Sequence, residues 1–244
     1  RDNHGQEAAA AASFRTGRLK LPWEASWITD KDYTFGKKQS PVPMTFRKCF
    51  IIQKSIRRAY ITATAIGIYE LKLNGKKVGD RYFAPGFTSY KKNLQYQFYD
   101  VTEQLVGSNT LIAVVAGGWA VGRFTYENKN KITAPRQALL LELIMEYTDG
   151  TAERVVTDNS WEVTRQGNYR KACLYDGETY DASVDLEAVS WKHADATRLP
   201  FHPEIALENS RVICREILHP VSHFENSDGE IIYDFGQNFA GVVE

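Results

Sequence analysis

The sequence carries no surplus charge of either sign: 30 lysines and arginines face 30 aspartates and glutamates, for a net charge of zero. A binder of nucleic acid or membrane surfaces ordinarily shows a basic excess, so polymeric anions are not expected partners. Long apolar runs are missing too, none approaching the ~20 residues that a bilayer-spanning helix needs. Cysteine is scarce. Cys49, Cys173 and Cys214 are far apart, odd in number and without a CxxC pair. A disulfide between two of them stays open, while the strand-like setting TFRKCFII predicts a buried, inert thiol at Cys49. The compartment is therefore open, a periplasmic or secreted setting being favoured over the cytoplasm. The start, RDNHGQEAAAAASF, lacks a signal-peptide core and reads as a processed or engineered end, so residues 1–22 are expected to be a tail. Conventional catalytic signatures are also missing. The histidines form no HExxH pair, and His219 with His223 shares only a helical spacing in a proline-broken segment. No GxSxG, Walker-type or GxGxxG loop is present.

What the chain does have is strand. Its 244 residues, 43% hydrophobic and 25% charged, suffice for one large or two modest cores. FRKCFII, RRAYITATA, IYELKLN, KKVGDRYF, NLQYQFYDV, NTLIAVVAG, QALLLELIMEY and AERVVTD follow one another, separated by turn residues. Short strands at this spacing, with little helix, predict an all-β sandwich or barrel. In AYITATA, Ala59, Ile61, Ala63 and Ala65 share one face while Tyr60, Thr62 and Thr64 share the other, the period-two pattern of a half-buried sheet. LLLELIMEY tolerates a helical period, but TDG after it and its β-rich neighbours favour a buried strand. Asn74-Gly75 is a strong hairpin signal, because both turn positions accept positive φ. YDVTEQL, with Thr102 near its start, reads as a single helical turn. The two prolines of ATRLPFHPEIALENSR break the rhythm. The expected organisation is thus a sandwich over 23–195, a linker over 196–209, and the start of a second sandwich over 210–244. The last strand, IIYDFGQNFAGVVE, runs straight into the terminus and reads as cut from something longer, with an edge open to pairing through Ile231, Ile232, Tyr233, Phe235, Val242 and Val243.

Three places carry chemistry. GGWAVGR sets Trp119 between glycines, where it either caps the core or stacks on the apolar face of a deoxy sugar. Arg123, four residues on, is a surface or interdomain arginine, or a planar fork for hydroxyls or a carboxylate. DGETYDAS gathers Asp176, Glu178 and Asp181 around Tyr180. Glycoside hydrolysis needs two carboxyl groups roughly 5–10 Å apart, and alternate strand residues lie about 6.5–7 Å apart. An interdomain rim, a solvated loop, and a ligand or calcium site are the competing readings. Asn93 and Tyr90 could reach a sugar from TSYKKNLQY, or Asn93 could simply serve a turn.

Read in order, LNGKKVGD, APGFTSY, LQYQFYDVTEQL, GGWAVGRF, DGETYDAS and IIYDFGQNFAG resemble the N-terminal region of bacterial α-L-rhamnosidases, from about Trp23 to the end. The resemblance implies a jelly-roll, galactose-binding-like β-sandwich, followed by a second β-sandwich that YDFGQN opens. It also implies that the catalytic carboxylates sit in a later (α/α)6 barrel, to which nothing here corresponds. Two positions depart from the family's pattern: Ala120 replaces an aromatic after Trp119, and Ser183 replaces the arginine after DGETYDA. Three roles follow as expectations. One is an accessory region bordering a downstream catalytic domain. Another is a module for L-rhamnosyl glycans, with or without calcium. The third is a freestanding enzyme using the DGETYD carboxylates.

Overall fold

The computed structural model describes residues 17–18, 21–203, 205–206 and 211–241. The first strands are β1 (Trp27–Thr29), β2 (Met44–Ile51), β3 (Ile56–Ile66), β4 (Ile68–Leu73), β5 (Lys76–Lys77) and β6 (Gln95–Asp100). After a 3-10 turn at Thr102–Gln104 come β7 (Ser108–Ala116), the one-turn helix α1 (Gly118–Val121), β8 (Ala138–Tyr147), β9 (Ala152–Val156) and β10 (Glu162–Thr164). The chain continues through β11 (Tyr169–Cys173), β12 (Gly177–Tyr180), β13 (Lys192–His193) and β14 (Asp195–Thr197). It closes with β15 (Ile205–Ala206), β16 (Ser222–Glu225) and β17 (Ile231–Asp234). Among the described residues these strands make two large sheets and two separate hairpins. One sheet runs β14-β1-β8-β3-β6-β15, with β9 also on β8; the other runs β13-β10-β2-β7-β4-β5. The expected β-sandwich is the observed one.

Period two builds its core. Leu139, Leu141, Leu143, Met145 and Tyr147 of β8 point inward, confirming LLLELIMEY as a buried strand. Beside them in register, Ala65 faces Leu139, Ala63 faces Leu141, and Ala59 faces Met145, so small residues of β3 accommodate large ones of β8. Met44, Phe46, Leu71, Leu73, Leu111, Ala113 and Val115 meet them from the second sheet. Asn74-Gly75 makes its hairpin with φ of 53° and 79°. The Asn74 amide also donates to Asn109 Oδ1 at 2.9 Å, and its Oδ1 accepts from Thr110 N at 2.9 Å, tying the turn to β7.

The structure departs from the sequence expectation in several places. The threonine face of β3 is not solvated, since Thr62 and Thr64 are buried. A second cluster lies at this end of the molecule, with Trp27, Ile66, Leu94, Ala138, Leu140 and Phe201 among its members. Glu142, on this outer face, accepts from Arg18 Nη1 at 2.5 Å and from the backbone N–H groups of Glu24 and Ala25. Arg18 therefore docks on the sheet although it falls in the expected tail; most of residues 1–22 lies outside the described residues. Cys49 is exposed rather than buried, because it takes the outward parity of β2 while Met44 and Phe46 take the inward one. All three thiols are free. KKVGDRYF is strand only at Lys76–Lys77.

The stretch 196–209, expected as a linker, belongs partly to the sandwich. Ala196 and Thr197 pair with Ile28 and Trp27, and β15 adds to β6 in parallel. Prolines end strands, but they do not stop a crossing segment from packing; Phe201, between Pro200 and Pro203, is buried. Farther on, Tyr82 N donates to the Val212 carbonyl at 2.9 Å, and Arg211 pairs with Asp80 at 3.1 Å. The hairpin of β16 and β17 then pairs only with itself among the described residues. Val242 and Val243 lie outside the described residues.

Candidate functional site

Glycine shapes the first part of the site. Gly118 has φ +50°, and a Cβ there would stand 2.8 Å from Ile68 Cγ2. At Gly117 a Cβ would meet the Gly122 Cα at 2.7 Å. Only hydrogen at these positions lets the turn close on itself and on the start of β4. The turn leaves Trp119 half-buried, packed against the second core cluster. Its ring also meets Phe83, with centroids 6.1 Å apart, and Phe87 at 5.7 Å. Core and ligand readings of Trp119 are therefore not exclusive: one indole serves as core cap and as part of an aromatic surface.

Arg123 and Asp176, 53 residues apart in sequence, are brought together as an ion pair, Arg123 Nη2 donating to Asp176 Oδ1. The neighbours of this pair also meet. Phe124 and Tyr175 stack with centroids 6.3 Å apart and planes 27° apart, and Phe124 touches Phe87 at 5.6 Å. Phe83, Trp119, Phe87, Phe124 and Tyr175 thus form five rings in consecutive contact, drawn from three separate segments. Sequence reasoning singled out only Trp119 among them. The available signal was the recurrence of aromatics in turn-bearing segments: APGF, GRF and LYDG.

The remaining acidic residues are held apart. Glu178 reaches solvent from β12, yet partial burial, helped by the nearby Glu70 carboxylate, pushes its carboxyl upward. Glu70 itself pairs with Lys77 at 3.1 Å. Asp181 accepts from Ser183 Oγ at 2.6 Å and from Ser183 N at 3.1 Å. These bonds, with Arg170 beyond them, hold it below the usual carboxylate range. Ser183, where the family pattern has arginine, thus caps its own loop. Among the described residues no group of three or more His, Cys, Asp or Glu side chains is placed to hold a metal ion. Tyr180 is exposed and edge-on to Tyr169, with centroids 5.0 Å apart. Asn93 is exposed in a turn, its N–H donating to the Ser89 carbonyl. Tyr90 points inward instead, burial raising its hydroxyl pKa, and donates to Gly86 O at 3.1 Å. None of the candidate residues lines the surface cleft of about 500 Å³ bordered by Lys31, Asn159, His193 and Asp195. Two of its polar groups are occupied, since Asp195 accepts from Lys31 N and Asn159 from Ala196 N.

An aromatic surface with one ion pair at its edge can hold a ligand that has apolar faces and polar rims. Comparison with known proteins decides what kind of chain carries it. The family model for the alpha-L-rhamnosidase N-terminal domain matches residues 54–223. The chain belongs to that family. As a rhamnosidase N-terminal domain it is 32% identical over 257 residues to an alpha-L-rhamnosidase of Alteromonas sp. (strain LOR), covering 99% of this chain and 28% of that protein. It is 45% identical over 202 residues to one from Streptomyces avermitilis, covering 78% of this chain and 19% of the relative. Among solved structures it resembles native α-L-rhamnosidase from Aspergillus terreus, with a TM-score of 0.77 and 28% identity over 88% of this chain and 26% of that one. The Streptomyces avermitilis enzyme complexed with L-rhamnose gives a TM-score of 0.73 and 35% identity, over 82% of this chain and 20% of that one. The rhamnosidase N-terminal domain described here thus spans between 19% and 28% of these two curated relatives' length.

Proposed function

We propose that this chain is the non-catalytic N-terminal region of an α-L-rhamnosidase, a protein that hydrolyses terminal α-L-rhamnosyl groups of glycans or glycosides. On this reading the sandwich supports or borders an active site whose catalytic carboxylates belong to an (α/α)6 barrel outside these 244 residues. The family match over residues 54–223 carries the proposal. The site chemistry supports it. Hydrolysis needs one carboxyl group as acid and another as base or nucleophile across the sugar. Here Asp176 is committed to Arg123, Asp181 to Ser183, and Glu178 has as its neighbour a glutamate already paired with a lysine. The 244-residue chain should not turn over an aryl α-L-rhamnoside, whereas a longer protein containing it should. Turnover by the chain itself, abolished by Glu178→Gln, would sink the reading.

A second reading rests on the rings around Trp119: the domain contacts L-rhamnosyl sugar directly. A titration with L-rhamnose, with and without calcium, tests it. Saturable heat that is lost in Trp119→Ala supports sugar contact. Dependence on calcium would favour a calcium-assisted module over contact through the rings alone.

A further inference from the structure

The loop over residues 79–87 serves two surfaces at once. Its later part carries Phe83 and Phe87, whose rings meet Trp119 at 6.1 and 5.7 Å. Its earlier part holds the segment that leaves the sandwich. Arg81 is bridged antiparallel to Ile213, Tyr82 N donates to Val212 O at 2.9 Å, and Arg211 Nη1 pairs with Asp80 Oδ2 at 3.1 Å. The sandwich anchors the loop on either side of these contacts. Gly79 lies so close to the Tyr99 ring that a Cβ would stand 2.5 Å from Cε1, and Tyr69 N of β4 donates to Ala84 O at 2.8 Å. Between the bonded Tyr82 and Ala84 stands Phe83 at φ 56°, a left-handed conformation that a bulky residue holds only against steric cost. That conformation needs restraint from both neighbours. The restraint on the Tyr82 side is light: Arg211 and Asp80 are 52% and 56% exposed, and exposed ion pairs contribute little.

We infer that residues 80–83 form a two-state relay, which links sugar occupancy beside Trp119 to the attachment of the exit segment 211–213. This rests on the sugar-contact reading above and assigns a regulation to it. In the closed state Tyr82 is bonded to Val212, and Phe83 is held left-handed with its ring against Trp119. In the open state the bond to Val212 is broken, Phe83 relaxes to an ordinary negative φ, and its ring leaves the indole. A change of φ at one residue redirects the side chain on the same Cα, so the two contacts change together. A ligand shifts such an equilibrium only through its preference for one state. A sugar packed on both rings finds its whole surface in the closed state, so it tightens the clip. By reciprocity, a tightened clip raises sugar affinity. The exit segment leads to the β16–β17 ribbon, whose placement on the sandwich thereby depends on the bound sugar.

The test uses the 244-residue chain and L-rhamnose. Saturating sugar should slow hydrogen exchange of the Tyr82 amide about fivefold, the low end of ordinary coupling between sites. Asp80→Lys sets a like charge against Arg211 and touches no ring. It should weaken L-rhamnose about threefold in calorimetry, by lowering the closed fraction, and leave the melting temperature unchanged. A locked clip tests the opposite direction. Arg81→Cys with Ile213→Cys places two thiols at a bridged antiparallel pair, a spacing that accepts a disulfide. Cys49→Ser, Cys173→Ser and Cys214→Ser remove the competing thiols. The oxidised protein should bind L-rhamnose about threefold more tightly than the same protein reduced, a comparison in which the loss of the arginine cancels. In Phe83→Gly, where positive φ carries no steric cost, sugar should no longer slow the Tyr82 amide. L-rhamnose binding with unchanged Tyr82 exchange, and equal affinity in the oxidised and reduced forms, overturns the relay and leaves sugar contact standing. Binding of L-rhamnose by none of these proteins overturns the sugar-contact reading and the relay with it. Neither outcome touches the rhamnosidase assignment, which the hydrolysis assay tests separately.

Discussion

The sandwich and the β16–β17 hairpin are written in the same strand vocabulary and end in opposite states. Along β8, Leu139, Leu141 and Leu143 are wholly buried by a facing sheet. In the hairpin, Phe224 is 54% exposed and Ile231 59%, although both sit on well-registered antiparallel strands. Phe224 faces Ile232 on one side of the ribbon, while on the other His223 faces Tyr233 and Glu225 faces Ile231, so each side mixes apolar and polar groups. Strand formation is local. Burial requires a second layer, and a lone two-stranded ribbon is marginal without one. Among the described residues no such layer covers the hairpin.

The largest expected effect sharpens that contrast. Trp161 is fully buried in the sandwich core, and its indole N–H donates to Val156 O at 2.8 Å. Trp161→Ala should cost about 3–5 kcal/mol through the cavity it leaves. Phe224→Ala, in the ribbon, should stay within about 0.5 kcal/mol. Urea midpoints of the two variants decide the matter. Comparable losses would mean that the ribbon is buried in solution, and the distinction between the regions would collapse.

The next effect separates a buried ion network from exposed ones. Asp30 is buried and bonded to Arg165 Nε at 2.8 Å and Lys192 Nζ at 2.6 Å. Burial alone would raise its carboxyl, but the bonds from Lys192 and Arg165 outweigh it and hold the group below its ordinary 3.8. A carboxyl depressed in the folded state contributes stability above its unfolded pKa and loses it as pH falls through the folded one. Asp30→Asn should therefore destabilise the chain at neutral pH by about 2–3 kcal/mol, because Arg165 stays buried without its charge partner. The penalty should shrink below about pH 4, where the wild-type carboxylate also protonates. Exposed Asp149, held down to about 2 by the Thr151 hydroxyl and backbone N–H and by Lys54, has the same sign. Some acid sensitivity should thus remain in the variant. A penalty that grows on acidification would contradict the assignment.

The division between legible and hidden features follows from the range of the contacts. β3, β8 and the Asn74-Gly75 turn were readable because alternation and turn chemistry act within a few residues. The second core cluster was not, because Trp27, Leu140 and Phe201 lie far apart in sequence. The prolines at 200 and 203 signalled a break but could not say that the segment beyond the break would pack on β6. The aromatic series and the Arg123–Asp176 pair depend on three loops meeting at one end of the sandwich. Each loop looks like ordinary turn material by itself. Parity also misled at Cys49, where an apolar neighbourhood hid an outward-facing position.

The smallest effect on stability concerns the ribbon's edges. Among the described residues β17 bonds to β16 on one side only, which leaves backbone N–H and C=O groups along its other side open to another strand. Ile231, Ile232 and Tyr233 suit pairing, and Glu230 and Asp234 oppose it mildly. The 244-residue chain should accordingly show weak, concentration-dependent self-association in sedimentation. Ile231→Lys places a charge on an exposed apolar position, the device by which natural edge strands resist pairing. It should shift the protein to monomer while changing unfolding free energy by no more than about 0.5 kcal/mol. A chain stopped at Arg211 should behave likewise in sedimentation. Suppose instead that the full chain is strictly monomeric and its amides at 222–225 and 231–234 are strongly protected from exchange. The ribbon would then complete itself, and its exposed apolar side chains would have no bearing on association.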